Sequence, residues 1–217
     1  MCVMVLIMVI LGGVTRLTDS GLSMVDWRPI TGWLPPLNTQ EWHDIFELYK
    51  GTPEYTKINF GMDVEGFKSI FWLEYLHRLW GRIIGIAFFI PFAWFLIRGR
   101  LERGLALKLL LMFALGGAQG VLGWYMVKSG LVDRPDVSQY RLTAHLGLAI
   151  FIYSYILWTA LGLLARETLQ IPRRGLRRLT GVAVFWIFLT MLAGGFVAGL
   201  DAGLTYNTFP LMDGKFV

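Results

Sequence analysis

The sequence predicts an all-α polytopic transmembrane helix bundle: a four-helix unit followed by the first helix of a second repeat. Three observations carry that prediction. Of the 217 residues, 55% are hydrophobic and the mean hydropathy is +0.56, too apolar a balance for a soluble domain. Five apolar runs, at 1–14, 71–97, 105–127, 142–164 and 179–199, alternate with polar segments. Basic residues gather in alternate connections, the pattern expected when cationic loops stay on the inner side of a membrane.

The first run ends after 14 residues at the polar stretch TRLTDS, too short to cross a hydrocarbon core of about 30 Å as a helix. It reads as a span lacking its beginning or as one that packs short. No basic n-region or small-residue cleavage site marks it as a signal peptide. The outer segment 15–70 follows, and DWRPITGWLPPLN has the prolines and glycine of an irregular, pinned loop. Asn38 with Glu41 three residues on forms a helix start. Trp42, Ile45, Phe46 and Tyr49 then fall on one face, predicting a short amphipathic helix at the interface. A further helix start at Asp63 runs on into the second span. The last four runs are each long enough to span.

The charge distribution sets the topology and excludes one class of partner. The connection 98–108 carries Arg98, Arg100, Arg103 and Lys108 against Glu102, and 166–178 carries Arg166, Arg173, Arg174, Arg177 and Arg178 against Glu167. Segment 15–70 has five basic and eight acidic residues, and 128–141 has three basic and two acidic. The net charge of +5 is therefore a membrane-topology signal, not a nucleic-acid footprint. Cys2 is the only cysteine, which excludes an intramolecular disulfide, iron–sulfur clusters and thiolate zinc sites.

An internal repeat organises the chain. GGVTRLTDSGLS at 12–23 and GGFVAGLDAGLT at 194–205 align without gaps, pairing Asp19 with Asp201 and Ser23 with Thr205. The repeat unit is then four spans. The expected organisation is a first four-helix unit at 1–164 with outer segment 15–70, a basic inner loop at 165–178, and at 179–217 the first helix of a second, truncated unit. On this reading the chain is incomplete.

Two histidines carry the candidate chemistry. His77 and His145 lie near the outer ends of the second and fourth spans, at similar depth on two parallel helices, while His43 sits in the outer segment as a solvated or interfacial residue. Intramembrane histidines serve either as hydrogen-bonded core residues or as functional groups. Two at one level suit metal or haem ligation. Gly81 and Gly85 share the stripe of His77, and Gly116, Gly120, Gly123 and Gly147 are similarly placed. They serve equally a smooth strip for a flat macrocycle or close helix packing. Glu74, three residues before His77, raises a di-iron carboxylate bundle as a rival. That rival lacks a second Glu-x-x-His, because Leu142 precedes His145 by three. Glu74 could shuttle a proton, stabilise developing positive charge, or partner a buried arginine. Arg78, Arg82 and Arg141 could bind haem propionates or snorkel to head groups.

The stretches GGVTRLTDSGLSMVDWRP, FWLEYLHRLWGR, GWYMVKSGL, VSQYRLTAHLG and VAGLDAGLTYNTFP resemble, in order and over essentially the whole chain, the haem A synthase family in the branch shared by mitochondria and proteobacteria. The resemblance implies an inner-membrane oxidoreductase of two four-helix halves that oxidises the C8 methyl of haem O to the formyl of haem A for terminal oxidases. It implies Glu74 and His77 as the Glu-x-x-His motif and His145 as its partner in the substrate half, with the ligands of a resident haem b absent from this chain. It also implies a haem O synthase and an electron donor as partners, and leaves a homo-oligomer open. Some relatives carry a cysteine pair in the first outer loop; segment 15–70 has none. A bis-histidine cytochrome b-type electron carrier is the alternative, and a transporter a third reading. The transporter fits less well because the repeats run parallel and no helix breaks at mid-depth.

Overall fold

The computed structural model describes residues 1–28, 31–131, 135, 137–165, 174–208 and 211–216. They form eight helices: α1 (Cys2–Leu17), α2 (Thr39–Lys50), α3 (Pro53–Lys57), α4 (Val64–Ile97), α5 (Arg103–Gly130), α6 (Gln139–Leu164), α7 (Arg174–Gly199) and α8 (Ala202–Thr205). Among the described residues there is no strand, only an isolated bridge between Met212 and Lys215. The expected all-α bundle of apolar helices is therefore what the chain forms. Helices α4, α5, α6 and α7 are long and apolar enough to cross a membrane, and α1 is a shorter apolar helix. Most of their apolar side chains point outward, as lipid-facing surfaces must. The chain folds as two compact units, Met1–Val137 and Ser138–Val217.

In the first unit, α4 has 34 residues, about 51 Å at 1.5 Å per residue, well beyond the roughly 30 Å of a hydrocarbon core. Its N-terminal turns therefore project from the membrane, and the outer segment packs on them. Asp63 caps α4 by accepting from the Gly66 N–H at 2.8 Å. Asn38 caps α2 by accepting from the Glu41 N–H at 2.9 Å, while the Glu41 carboxylate reaches back to the Leu37 N–H at 2.8 Å. Thr52 caps α3, with Pro53 at its first position. The amphipathic face read from the sequence turns Phe46 and Tyr49 inward against Phe67, Phe71 and Tyr75 of α4, with Trp42 and Ile45 packed beside them. This aromatic core holds the cap through edge and stacked contacts, such as Trp42 on Phe71 at 5.0 Å and Phe71 on Tyr75 at 5.9 Å.

Helix α1 lies against α4, and the Trp80 indole donates to the Met4 carbonyl at 2.9 Å. In the second unit α6 and α7 pack closely through glycine. At Gly199 an added Cβ would stand 2.7 Å from the Gln139 Cα, and at Gly195 one would stand 3.0 Å from the Thr143 Oγ1.

The internal repeat has a backbone counterpart. Both α1 and α7 run into an aspartate in the left-handed region, Asp19 at φ 48° and Asp201 at φ 51°. Aspartate is among the few non-glycine residues that visit this region readily. At the first copy the Thr18 hydroxyl donates to the Val14 carbonyl and Arg16 pairs with Asp19 at 2.6 Å. The turn then sends the chain back over α4.

Candidate functional site

One face of α4 grips that returning chain. Glu74 is 2% exposed. Its Oε2 accepts from the Ser23 hydroxyl at 2.7 Å and from the Met24 N–H at 2.8 Å, and its Oε1 accepts from Arg78. The Arg78 guanidinium also donates to the carbonyls of Met24 at 3.1 Å and Asp26 at 3.2 Å. One turn further, Arg82 donates to the Arg28 carbonyl at 2.7 Å and lies over the Trp33 ring at 5.9 Å. The Tyr75 phenol donates to the Trp33 carbonyl at 2.6 Å. Residues 74, 78 and 82 share one helical stripe, and all three hold the backbone of the first outer loop. The same loop reaches α5, where Trp27 meets Trp124 at 5.7 Å.

His77 shares this side of α4. It faces α1 at Gly12, where an added Cβ would stand 3.2 Å from Nε2. Glycine there leaves room for the imidazole. Glu74 and His77 are thus brought together against α1 and the turn that follows it, as the three-residue spacing predicts. His145 lies in the second turn of α6, half-buried, and Arg141 lies one turn earlier. His43 is exposed on α2. Among the glycines proposed to flank a macrocycle, an added Cβ at Gly147 would stand 2.8 Å from the Leu192 side chain and one at Gly81 would stand 3.3 Å from that of Met8, so both serve helix packing. Gly85, Gly116 and Gly120 face open space. Among the described residues no group of three or more His, Cys, Asp or Glu gathers to hold a bare metal ion.

Behind Glu74, in the outer cap, sits a second acid. Glu54 is 3% exposed and its Oε2 has no hydrogen-bond partner. Burial, and next the charge of Glu74, push its carboxyl up to about 8. It shares a hydrogen bond with the Tyr49 phenol, which is fully buried and accepts from the Asn59 amide at 2.8 Å. Burial raises the phenol as well. Sequence reading did not find this cluster, nor Ser23 as the partner of Glu74. The only signal was the place of Ser23 in the repeat, opposite Thr205.

The profile of the cytochrome oxidase assembly protein family (COX15-CtaA) matches residues 1–217. A protein named Heme A synthase from Nitrosospira multiformis is 57% identical over 219 residues, covering 100% of this chain and 62% of the relative. Another of that name, from Paramagnetospirillum magneticum, is 54% identical over 223 residues with the same coverage of each. A third, from Granulibacter bethesdensis, is 50% identical over 219 residues, covering 100% of this chain and 59% of the relative. The chain spans about three-fifths of the length of these relatives. No solved structure matches it significantly. Four helices able to cross a membrane, in a family with such bacterial members, make this an integral protein of the bacterial cytoplasmic membrane. Matched along its whole length by the profile, and by these relatives at 50% identity or better, the chain belongs to the cytochrome oxidase assembly protein family.

Proposed function

We propose that the protein is a membrane-bound oxidoreductase that converts haem O to haem A by oxidising the C8 methyl to a formyl group. The observation that carries this reading is the match of the whole chain, over about three-fifths of their length, to relatives named Heme A synthase. The pairing of Glu74 and His77 on one side of α4 supports it. His77 and His145 are the residues that would hold the iron of the substrate haem. Their donor chemistry fits, since neutral imidazole is a standard haem ligand. The open space at Gly85, two turns along the stripe from His77, fits a flat group as well. The proposal for His145 rests on its position near the outer end of its own helix.

When bound, haem O would present its methyl carbon to the side chains around it; turning a methyl into a formyl removes electrons from that carbon and adds an oxygen atom, so an oxidant, an oxygen source and an electron-transfer partner outside this chain are required. The protein's residues supply position and charge. The three donors on Glu74 hold its carboxylate at a fixed place, where it can stabilise positive charge developing on the substrate or accept a proton. Arg78 serves Glu74 and the loop backbone. Arg82 and Arg141 are the proposed partners of the propionates, since guanidinium binds carboxylate in a fork. A haem O synthase would deliver the substrate. A resident haem b would be held by residues other than those assigned here.

The test is haem extraction and chromatography from membranes holding the full-length protein, as its gene encodes it, together with a haem O synthase. A haem A peak that disappears with His77→Ala or His145→Ala supports the reading. Glu74→Ala should abolish haem A while haem stays bound. Bound haem b with no haem A, while haem O accumulates, would assign the protein as a bis-histidine electron carrier instead.

A further inference from the structure

Glu54 lies outside the assignments above, and its surroundings are unusual for an acid. It is carried on α3, within the aromatic cap, 3% exposed, and one carboxyl oxygen has no partner. An ionised carboxylate so buried and so incompletely hydrogen-bonded is unfavourable, whereas the protonated acid is tolerated. The groups that reach it are Tyr49 from α2, by a hydrogen bond, Glu74 from α4, and Asp19 from the turn after α1. Glu74 is itself paired with Arg78, and Asp19 with Arg16. The two carboxylates bear on Glu54 with negative charge. A second negative charge here would act on the groups that hold Glu74: the Ser23 hydroxyl, the Met24 N–H and Arg78.

We propose that Glu54 is a positioning residue: as an uncharged acid it lets the outer cap close over Glu74, and on losing its proton it opens the Ser23–Glu74–Arg78 clamp by like-charge repulsion. No electron moves in this step; the proton leaves the Glu54 carboxyl for solvent and returns. Its link to haem A formation rests on the function proposed above, but the opening of the clamp does not. Two readouts therefore separate the failure of one from the failure of the other.

The first readout is independent of activity. Amide hydrogen exchange of the peptide covering Met24 is compared between the full-length protein and Glu54→Gln, at matched pH, so that the intrinsic rise of exchange with pH cancels. The expected result is equal exchange near pH 7 and about tenfold faster exchange in the unaltered protein well above pH 8, the size of one short-range like-charge contact. A ratio that does not change with pH would overturn the proposal. Tyr49→Phe provides a second variant that keeps the packed ring. The Tyr49 hydrogen bond favours the ionised form of Glu54, so its loss should move the transition to higher pH. No movement, or movement to lower pH, counts against Glu54 as the titrating group. The second readout is haem A formation across the same pH range. Glu54→Gln should retain activity at neutral pH and abolish the alkaline fall. If Glu54 is purely structural, the variant lowers activity equally at every pH and the alkaline fall remains.

Discussion

Ser23→Ala tests the clamp most directly. The Ser23 hydroxyl has one proton and three acceptors within reach: the Glu74 Oε2 at 2.7 Å, the Ser20 carbonyl at 3.2 Å and the Ile70 carbonyl at 3.4 Å. The shortest and charged acceptor is the strongest. Ser23 is 1% exposed, so water cannot replace the lost donor. A buried hydrogen bond to a charged group is worth about 1.5–3 kcal/mol. For a chain of this size each kcal/mol corresponds to about 2–4 °C in Tm, so Ser23→Ala should lower Tm by about 3–12 °C. The assay is thermal unfolding of the purified protein in detergent, run as a double-mutant cycle with Glu74→Ala. The two substitutions should be non-additive by about 1–3 kcal/mol, because Ser23 has little left to stabilise once the carboxylate is gone. A Ser23→Ala protein within about 1 °C of the parent, too small a shift for a buried charged hydrogen bond, together with strict additivity, would refute the reasoning.

Other expectations follow from single contacts. In the folded cap Glu54 keeps its proton up to about pH 8 against an ordinary 4.5. Its contribution to stability is therefore complete below 4.5 and is lost as pH rises to about 8. At about 1.4 kcal/mol per pH unit that loss is up to about 5 kcal/mol; denaturant titrations should show it flattened in Glu54→Gln. Gly199→Ala sets a methyl 2.7 Å from the Gln139 Cα, where backbone must move, and should cost the second unit about 1–3 kcal/mol in the same measurement. At Asp19, φ 48° disfavours most side chains by about 1–2 kcal/mol. Asp19→Gly should therefore leave Tm higher than Asp19→Val, and the reverse order would contradict the left-handed turn.

The elements were legible because their causes are local. Apolar runs of spanning length, the Asn38 and Asp63 caps and the inward face of α2 each depend on residues a few positions apart, and the structure places them accordingly. The repeat was legible for the same reason, and both copies turn through a left-handed aspartate. Glu74 and His77 could be grouped because helical periodicity puts residues three apart on one side. The alternatives left open at Gly81 and Gly147 were of a different kind. Whether a glycine leaves room for a ligand or for a neighbouring side chain depends on the facing helix, and Met8 and Leu192 occupy those places.

The sequence by itself determined the membrane helices, their order, the repeat and the family motif on α4. Only the tertiary structure decided what Glu74, Arg78 and Arg82 hold. Their partners, Ser23, Met24, Asp26 and Arg28, lie about fifty residues away along the chain, and all but the Ser23 contact are made to backbone atoms, which residue identity does not mark. The same applies to Glu54. In the sequence it is one of eight acids in a polar segment, and only packing against Tyr49 and the aromatic face of α4 withdraws it from water, where an acid's preference for its proton is reversed.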